Sequence, residues 1–589
     1  MSTNQASPAG AGLLDYEGGI MAYWTQKLRK CLQMGPYGLA ATAIITLSVL
    51  FRTILVVFHF PEINSDEGKM GIAGIHIAFQ GQLPIYNYGQ DYLGVLEAYI
   101  AAPFFRLFGI SEFTLRIGML IMFALFMIVM YWLTSLLYSK RLALVTLVLL
   151  SFASSDMLVQ QLRAIGGAME LILFGALMLL LAYRLAATAG MRRDWRYLTY
   201  VAWGWTAGIA LWVHILVLPF VLCSGLLILV FCYREWRSLA IPCLLMGLFL
   251  GGFLLIPGRS AIGHALTMQS GATSLPNASP SDLMHLPLKQ LVGTFLWGIP
   301  LTTWVQPVCS VFDLPYYGPR TPLTASCSLL QGTWGTGYVL LLGTGLLLAG
   351  SACWKLWKRQ RAQSEALTPE EQQEAVRQFA RLMLLFTAVL IIFLYARSPL
   401  SGLKPWSTRY LVGLLVVTPG IIWPLWRLSG LEKAHLTLTW TTTKWLSCTA
   451  LVLVTLVALF STIWTVTTVP AAYADVQQEM HLVNDLLKLK LTRVYVEYWI
   501  CYRLLFQSKE QILCASPPYP LTVGGDPYPP DARAVQPDPN VINPRVPFLF
   551  PANSSFEIAE FERYNKEHKK HFQEYTLDGM VLFIPIPSG

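Results

Sequence analysis

The sequence has little charge for its length. Only 13% of its 589 residues are Asp, Glu, Lys or Arg, and 55% are hydrophobic. A soluble domain carries about 25% charged residues, so an ordinary soluble protein is excluded. The net charge of +9 does not indicate nucleic acid binding, because the basic residues fall between apolar segments, where the positive-inside rule places them.

The sequence also lacks any CxxC or Cys/His spacing suited to zinc, although it contains 10 cysteines. Cys309 and Cys327 lie in one predicted outer segment, and Cys501 and Cys514 lie in another. An outer compartment permits disulfides, whereas free buried thiols are equally compatible with the pattern. The sequence therefore predicts no metal site, and it leaves both pairings open.

Long apolar runs separated by basic turns predict a polytopic α-helical membrane protein with about eleven transmembrane helices. Basic residues precede the first span, which places the N-terminus in the cytoplasm and the C-terminal segment outside. The predicted spans cover about 38–58, 115–138, 142–157, 168–186, 198–213, 215–232, 239–256, 335–354, 382–395, 410–425 and 445–469.

Three regions follow from this pattern. Residues 1–36 form a cytoplasmic tail, residues 37–469 the transmembrane domain, and residues 470–589 a small extracytoplasmic α/β domain, in which helical and strand-like stretches alternate. Two outer loops, 59–114 and 257–331, are too long for simple connections and are candidate functional loops.

The first outer loop concentrates carboxylates at the membrane face. Asp66 and Glu67 come directly after the first span, and Asp91 and Glu97 follow. A carboxylate at a membrane face is energetically costly unless it is solvated or takes part in binding or catalysis. The stretches Asp66 to Gln80 and Leu93 to Phe108 predict two surface helices that would hold them.

This loop resembles the first outer loop of polytopic glycosyltransferases that use polyprenyl-phosphate sugars. These are enzymes of the C-type fold, the superfamily of protein O-mannosyltransferases and aminoarabinose transferases. The matching stretches are Asp66-Glu67, GQLP (81–84), YGQDYLGVLEA (88–98), LFG (107–109) and Leu115-Arg116. The resemblance implies that the transmembrane region is a glycosyltransferase domain and that loop 59–114 is catalytic.

Asp66 matches the acid of that family's first loop and is the candidate general base, because a carboxylate can take the proton of an acceptor hydroxyl. The alternative is that Ser65-Asp66 only caps the surface helix. Glu67 is a second catalytic candidate, which would adjust the electrostatic field around Asp66 or hold a metal. As an alternative it is an ordinary first-turn acid on a helix dipole.

Other candidates surround this acid. Asp156 resembles a second acid of the family, with Arg163 nearby as a phosphate ligand; a structural ion pair is the alternative. Asp91, Tyr92 and Glu97 are candidate substrate-binding residues, although the Glu-Lys pair of aminoarabinose transferases is absent here. On the late outer loop we expect phosphate contacts, or interfacial snorkelling as the alternative, from Lys404, Arg409 and Tyr410.

The resemblance implies an inverting transferase that moves a monosaccharide from a polyprenyl-phosphate donor to a protein, lipid or glycan acceptor at the outer or lumenal face. We expect a multi-pass protein of a bacterial plasma membrane, with no certain cofactor and a divalent metal left open. The alternative is a lipid-linked-sugar flippase or secondary transporter. The sequence shows no pair of related halves, which such transporters tend to have.

Overall fold

The architecture was taken from a computed structural model. It describes residues 35–190, 195–233, 287–305, 325–363, 368–398, 405–431, 442–515, 546–568 and 571–586. The predicted seventh span, most of loop 257–331, Lys404 and Cys309 lie outside these ranges.

Seven of the described helices are long and apolar enough to cross a membrane, and one bent helix pair would make an eighth. The chain is therefore a multi-pass membrane protein, and eleven spans remain a prediction. The helices up to the C-terminal domain are α1 (Pro36–Val57), α2 (Ser65–Ile75), α3 (Leu96–Phe108), α4 (Glu112–Leu137), α5 (Lys140–Ser151), α6 (Ser155–Leu162), α7 (Ala168–Ala187), α8 (Trp195–Val213), α9 (Leu218–Cys232), α10 (Leu288–Gly293), α11 (Ile299–Thr302), α12 (Ala325–Gln363), α13 (Pro369–Arg397), α14 (Leu414–Leu428) and α15 (Thr442–Lys488).

The first outer loop folds into the two predicted helices. Helix α2 continues through a π-helical turn, His76–Gln80, and α3 follows a short antiparallel hairpin of β1 (Tyr86–Asn87) and β2 (Gln90–Gly94). The hairpin occupies the start of the stretch that was predicted to be wholly helical. Gly89 sits at its turn with a φ of 69°, which glycine adopts without steric cost.

The predicted third span is broken. Helix α5 ends at Ser151, and α6 leaves it at an angle of 93°. The hydroxyl of Ser154 accepts the N–H of Met157 at 3.4 Å, so this serine caps a new helix instead of ending the span outside. The bend places the polar side chains of α6, Asp156 among them, inside the protein.

Helix α15 joins the membrane region to the C-terminal domain without interruption. Its 47 residues give a length of about 70 Å, more than twice the hydrocarbon core of a bilayer. The sequence predicted a break near Pro470, yet the helix passes through it. Val469, Ala472 and Val476 are all buried, and their packing offsets the cost of an interior proline.

The C-terminal domain is a five-stranded mixed sheet with helices packed on it, as the predicted α/β class requires. The strand order is β4-β3-β5-β7-β6, with β3 parallel to β4 and β5, and with β7 antiparallel to β5 and β6. Its elements are β3 (Arg493–Val496), α16 (Tyr498–Gln507), β4 (Leu513–Ala515), β5 (Phe548–Pro551), α17 (Ser555–His568), β6 (Phe572–Leu577) and β7 (Met580–Pro585).

Two strands of this sheet were not predicted, because β5 was assigned to a proline-rich loop and β6 to the end of a helix. A disulfide between Cys501 and Cys514 ties α16 to β4, which decides between the two alternatives that the sequence left open for this pair. Phe548, Phe550 and Phe561 are fully buried and form the core between sheet and α17.

Candidate active site

The first turn of α2 presents Asp66 to a cleft. Asn64 caps the helix, since its side-chain oxygen accepts the N–H of Glu67 at 2.9 Å. The Ser65 hydroxyl instead donates to the carbonyl oxygen of Tyr498 at 2.6 Å. The capping alternative for Ser65-Asp66 is therefore wrong, and the carboxylate of Asp66 is engaged elsewhere.

Asp66 meets Arg409, as expected for residues on one face of the membrane. The Arg409 Nη1 lies 3.5 Å from Asp66 Oδ2, and the Tyr498 hydroxyl donates to Asp66 Oδ1 at 3.2 Å. Asp66 is only 7% exposed, while the Arg409 side chain is 31% exposed. An acid and a cation from distant segments thus share one partly accessible site, and the role of Asp66 as base stays a prediction.

A polar pocket opens at this pair. Its wall includes the Gly166-Gly167 turn, where both residues have positive φ values (80° and 88°) and where the side chains of Leu93 and His214 pack closely against the two glycines. The pocket is lined by Asp66, Gln90, Tyr92, Leu93, Gln160, Ile165, Gly166, Gly167, Ala168, His214, Leu216, Arg409 and Tyr410.

A mainly apolar pocket adjoins the polar one. It lies between the start of α9 and the end of α13, and its walls include Ile215, Pro219, Ile391 and Leu394. The two pockets have four lining residues in common: Tyr92, His214, Leu216 and Tyr410. A single amphipathic ligand could therefore occupy both, with its charged end beside Arg409.

Two of the predicted binding residues, Tyr92 and Tyr410, line both pockets, and a third, Arg409, lines the polar pocket beside them. Arg409 donates to the Tyr410 hydroxyl at 3.4 Å, and its guanidinium carbon lies 5.3 Å from the centre of that ring. Tyr92 packs edge-on against His214. Burial raises the pKa of Tyr92 above its ordinary value, Tyr410 and Asp66 add to the rise, and Arg409 opposes it. The Tyr92 hydroxyl thus remains a hydrogen-bond donor.

Glu67 lies beneath the site in a buried ion pair. Arg116 donates to both of its carboxylate oxygens, at 2.8 and 2.6 Å, and neither side chain is exposed. The N–H of Ala164 adds a third bond to Glu67 at 3.1 Å. These contacts match a supporting role for Glu67, and its predicted catalytic role has no further observation behind it.

Asp156 and Arg163 line neither of these pockets. Asp156 accepts a hydrogen bond from the Thr408 hydroxyl at 2.8 Å, directly beside Arg409 in the chain. Arg163 donates to the carbonyl oxygen of Glu62 at 2.6 Å. These contacts are structural, and through the bond from Thr408 the carboxylate of Asp156 holds the segment that presents Arg409.

Glu97 is buried under the glycine turn and is 1% exposed. It accepts the N–H of Gly166 at 2.8 Å. Burial raises the pKa of Glu97 well above its ordinary value, and the nearby carboxyl of Glu170 raises it further. Glu97 therefore supports the pocket wall from behind, since it is not among the lining residues.

Two predicted binding residues cannot be located in the site. Lys404 and the side chain of Asp91 lie outside the described parts of the chain. Two others were missed. His214 lines both pockets, and Tyr498 donates a hydrogen bond to Asp66; neither was among the residues predicted from sequence. Neither has a local sequence signal, because each reaches the site through tertiary packing.

Among the described residues, no group of three or more His, Cys, Asp and Glu side chains is arranged to hold a metal ion. Asp66 has two polar neighbours of its own, Arg409 and Tyr498. Asp66 is therefore a carboxylate flanked by hydrogen-bond donors. Whether activity requires a divalent metal is tested by the assay with and without EDTA.

No protein-family model and no curated protein matches the chain. Among solved structures it is similar to ArnT from Cupriavidus metallidurans in the apo state, with 14% identity, 93% of this chain and 99% of that chain covered, and a TM-score of 0.49. The same protein bound to undecaprenyl phosphate matches with 13% identity, coverage of 92% and 98%, and a TM-score of 0.48.

A third match is the archaeal oligosaccharyltransferase AglB from Archaeoglobus fulgidus, in complex with an inhibitory peptide and a dolichol-phosphate. Its identity is 11%, coverage is 93% of this chain and 74% of that chain, and the TM-score is 0.46. Because identities are so low and TM-scores are below 0.5, the donor and acceptor must be inferred from the geometry of the site itself.

Proposed function

We propose that the protein is an inverting glycosyltransferase that moves a monosaccharide from a polyprenyl-phosphate donor to an acceptor hydroxyl at the outer face of the membrane. The observation that carries this proposal is the pair of adjoining pockets, one with Asp66 and Arg409 in its wall and the other mainly apolar. A lipid-phosphate sugar has the same division of charge and apolar surface.

The donor would lie with its polyprenyl chain in the apolar pocket and its phosphate beside Arg409. A guanidinium suits a phosphate because its planar fork donates two hydrogen bonds. Tyr410 and Tyr92 stand on either side of the shared rim and supply hydroxyl donors. The sugar would then extend into the polar pocket, against the glycine turn at 166–167.

The reaction is a single displacement. The acceptor oxygen attacks the anomeric carbon as the bond from that carbon to the phosphate oxygen breaks. The acceptor proton passes to Asp66, and polyprenyl phosphate leaves with the bonding electrons. Arg409 pairs with Asp66 when no substrate is bound, so phosphate binding would draw the guanidinium away and leave the carboxylate ready to accept a proton.

The test is release of polyprenyl phosphate from a panel of lipid-phosphate sugars by the purified protein, with and without EDTA. We expect turnover by the wild type and a loss of at least a hundredfold for Asp66→Asn. The control is Asp485→Asn, which removes a half-buried carboxylate that pairs with Lys488 three residues away on the same helix.

Equal turnover by Asp66→Asn and Asp485→Asn would overturn the assignment of the base. If the wild type turns over none of the donors yet scrambles a sugar lipid across liposome bilayers, the transferase proposal fails and the flippase alternative replaces it.

A further inference from the structure

Helix α16 of the C-terminal domain lies against α2, the helix that carries Asp66. The two backbones touch, because a Cβ added to Gly68 would lie 2.5 Å from the carbonyl oxygen of Tyr502. Glycine at this position is what allows so close an approach. The contact delivers the first residue of α16, Tyr498, to the first turn of α2, where its carbonyl accepts the Ser65 hydroxyl.

The Tyr498 hydroxyl is the centre of a hydrogen-bond chain. Lys69 Nζ donates to it at 2.8 Å, and it donates to Asp66 Oδ1 at 3.2 Å. An ammonium can only donate hydrogen bonds, so the hydroxyl proton must point toward the carboxylate. The Lys69 ammonium also lies over the rings of Tyr498 and Tyr502, 4.9 and 4.8 Å from their centres.

The charges around this hydrogen-bond chain fix which group donates and which accepts in each of its bonds. Burial raises the pKa of Tyr498 above its ordinary value, and the charge of Asp66 raises it further, so the hydroxyl keeps its proton. Burial lowers the pKa of Lys69, and Asp66 opposes that change. The groups facing Asp66 are Arg409 on Oδ2, Tyr498 with Lys69 behind it on Oδ1, and Tyr92 nearby.

We propose that Tyr498, contributed by the C-terminal domain, is a positioning residue that holds Asp66 Oδ1 through a hydrogen bond and aims the carboxylate at the acceptor. The inference rests on the proposed function. A carboxylate oxygen has lone pairs beyond the one that Tyr498 occupies, so Asp66 can still take the acceptor proton. The C-terminal domain thus completes the active site in addition to covering it.

The test compares Tyr498→Phe with Tyr502→Phe. Both variants lose one hydroxyl from the same helix and keep a ring over Lys69, but only the first loses the bond to Asp66. In the pH dependence of kcat/KM we expect the acidic limb of Tyr498→Phe to move to higher pH by about one unit, the effect of losing one hydrogen bond to a carboxylate. Tyr502→Phe should follow the wild type.

A second readout needs no turnover. Carbodiimide modifies protonated carboxyls, so its rate at Asp66 as a function of pH, measured by mass spectrometry of the peptide, reports on the same group. We expect its midpoint to rise by about one pH unit in Tyr498→Phe only. Size-exclusion profiles and unfolding midpoints of both variants confirm that they are folded.

The outcomes separate the two proposals. If the wild type turns over a donor but neither readout distinguishes Tyr498→Phe from Tyr502→Phe, the positioning role is refuted and the transferase stands. If no donor is turned over but the labelling midpoint moves in Tyr498→Phe alone, the proposed function fails while the hold of Tyr498 on Asp66 is confirmed.

Discussion

The buried ion pair beneath the site gives the sharpest prediction about stability. Arg116 and Glu67 are both fully buried, and among the described residues the Glu67 carboxylate has one other hydrogen-bond donor, the N–H of Ala164. Replacing Arg116 by Met would preserve most of the side-chain length and leave the Glu67 carboxylate inside the protein without its cation. Breaking a buried pair in this way costs about 3–5 kcal/mol.

The double variant E67Q/R116M should recover most of that loss. An amide oxygen at position 67 can still accept the N–H of Ala164, and no buried charge remains. Replacing a whole buried pair by neutral side chains of similar size is often neutral or stabilising. The matched control is R359M, because Arg359 pairs with Glu371 on the surface, where a bridge contributes about 0–1 kcal/mol.

The assay is SDS-induced unfolding in mixed micelles, followed by tryptophan fluorescence. We expect the unfolding midpoint to fall clearly for R116M, to return toward the wild type for E67Q/R116M, and to change little for R359M. A wild-type midpoint for R116M would refute the reasoning. So would a double variant as unstable as R116M, because the loss would then come from packing and not from a stranded charge.

Three further predictions follow from other contacts. Because the pKa of Glu97 is raised in the native protein, its carboxyl keeps a proton that the unfolded chain loses once the pH exceeds 4.5, the ordinary pKa of the group. The free energy of unfolding should therefore fall as the pH rises above 4.5. The unfolding midpoint of E97Q should not show this dependence on pH. A Cβ on Gly71 would lie 2.5 Å from the Phe506 ring, so G71A should weaken the contact between α2 and α16 by overpacking. Both helices should then be cleaved faster by a protease, and adding F506L should reverse this effect. R409K should lower kcat/KM about tenfold or more, since lysine lacks the planar fork, with a smaller effect on substrates bound mainly by their lipid chains.

The multi-pass membrane character was the part best predicted from sequence, because apolar run length is read directly from the chain, whereas the count of eleven spans and the orientation remain predictions. The helix that carries Asp66 was also predicted from sequence, although all of its residues are buried in the structure. Each of these inferences depends on a local pattern or on a rule that holds across the whole bilayer.

The contacts that complete the site had no such signal. Arg116 was visible only as part of a motif, and nothing local connected it to Glu67. His214 lies at the end of α8 with ordinary apolar neighbours, so only the packing of helices shows that it borders both pockets. In the C-terminal domain, β5 was hidden by the prolines before it, although Phe548 and Phe550 alternate as core residues of a strand should.

The separation along the chain between Asp66 and Tyr498, 432 positions, also sets an order for biogenesis. At about 5–20 residues per second, synthesis of the intervening chain takes roughly 20 to 90 s. During that interval the first outer loop has already emerged, and the carboxylate lacks the hydroxyl that steadies it. The complete site can appear only once the C-terminal domain has been synthesised and has docked on α2, so under the proposed function a nascent chain would not consume its donor before its own assembly is complete.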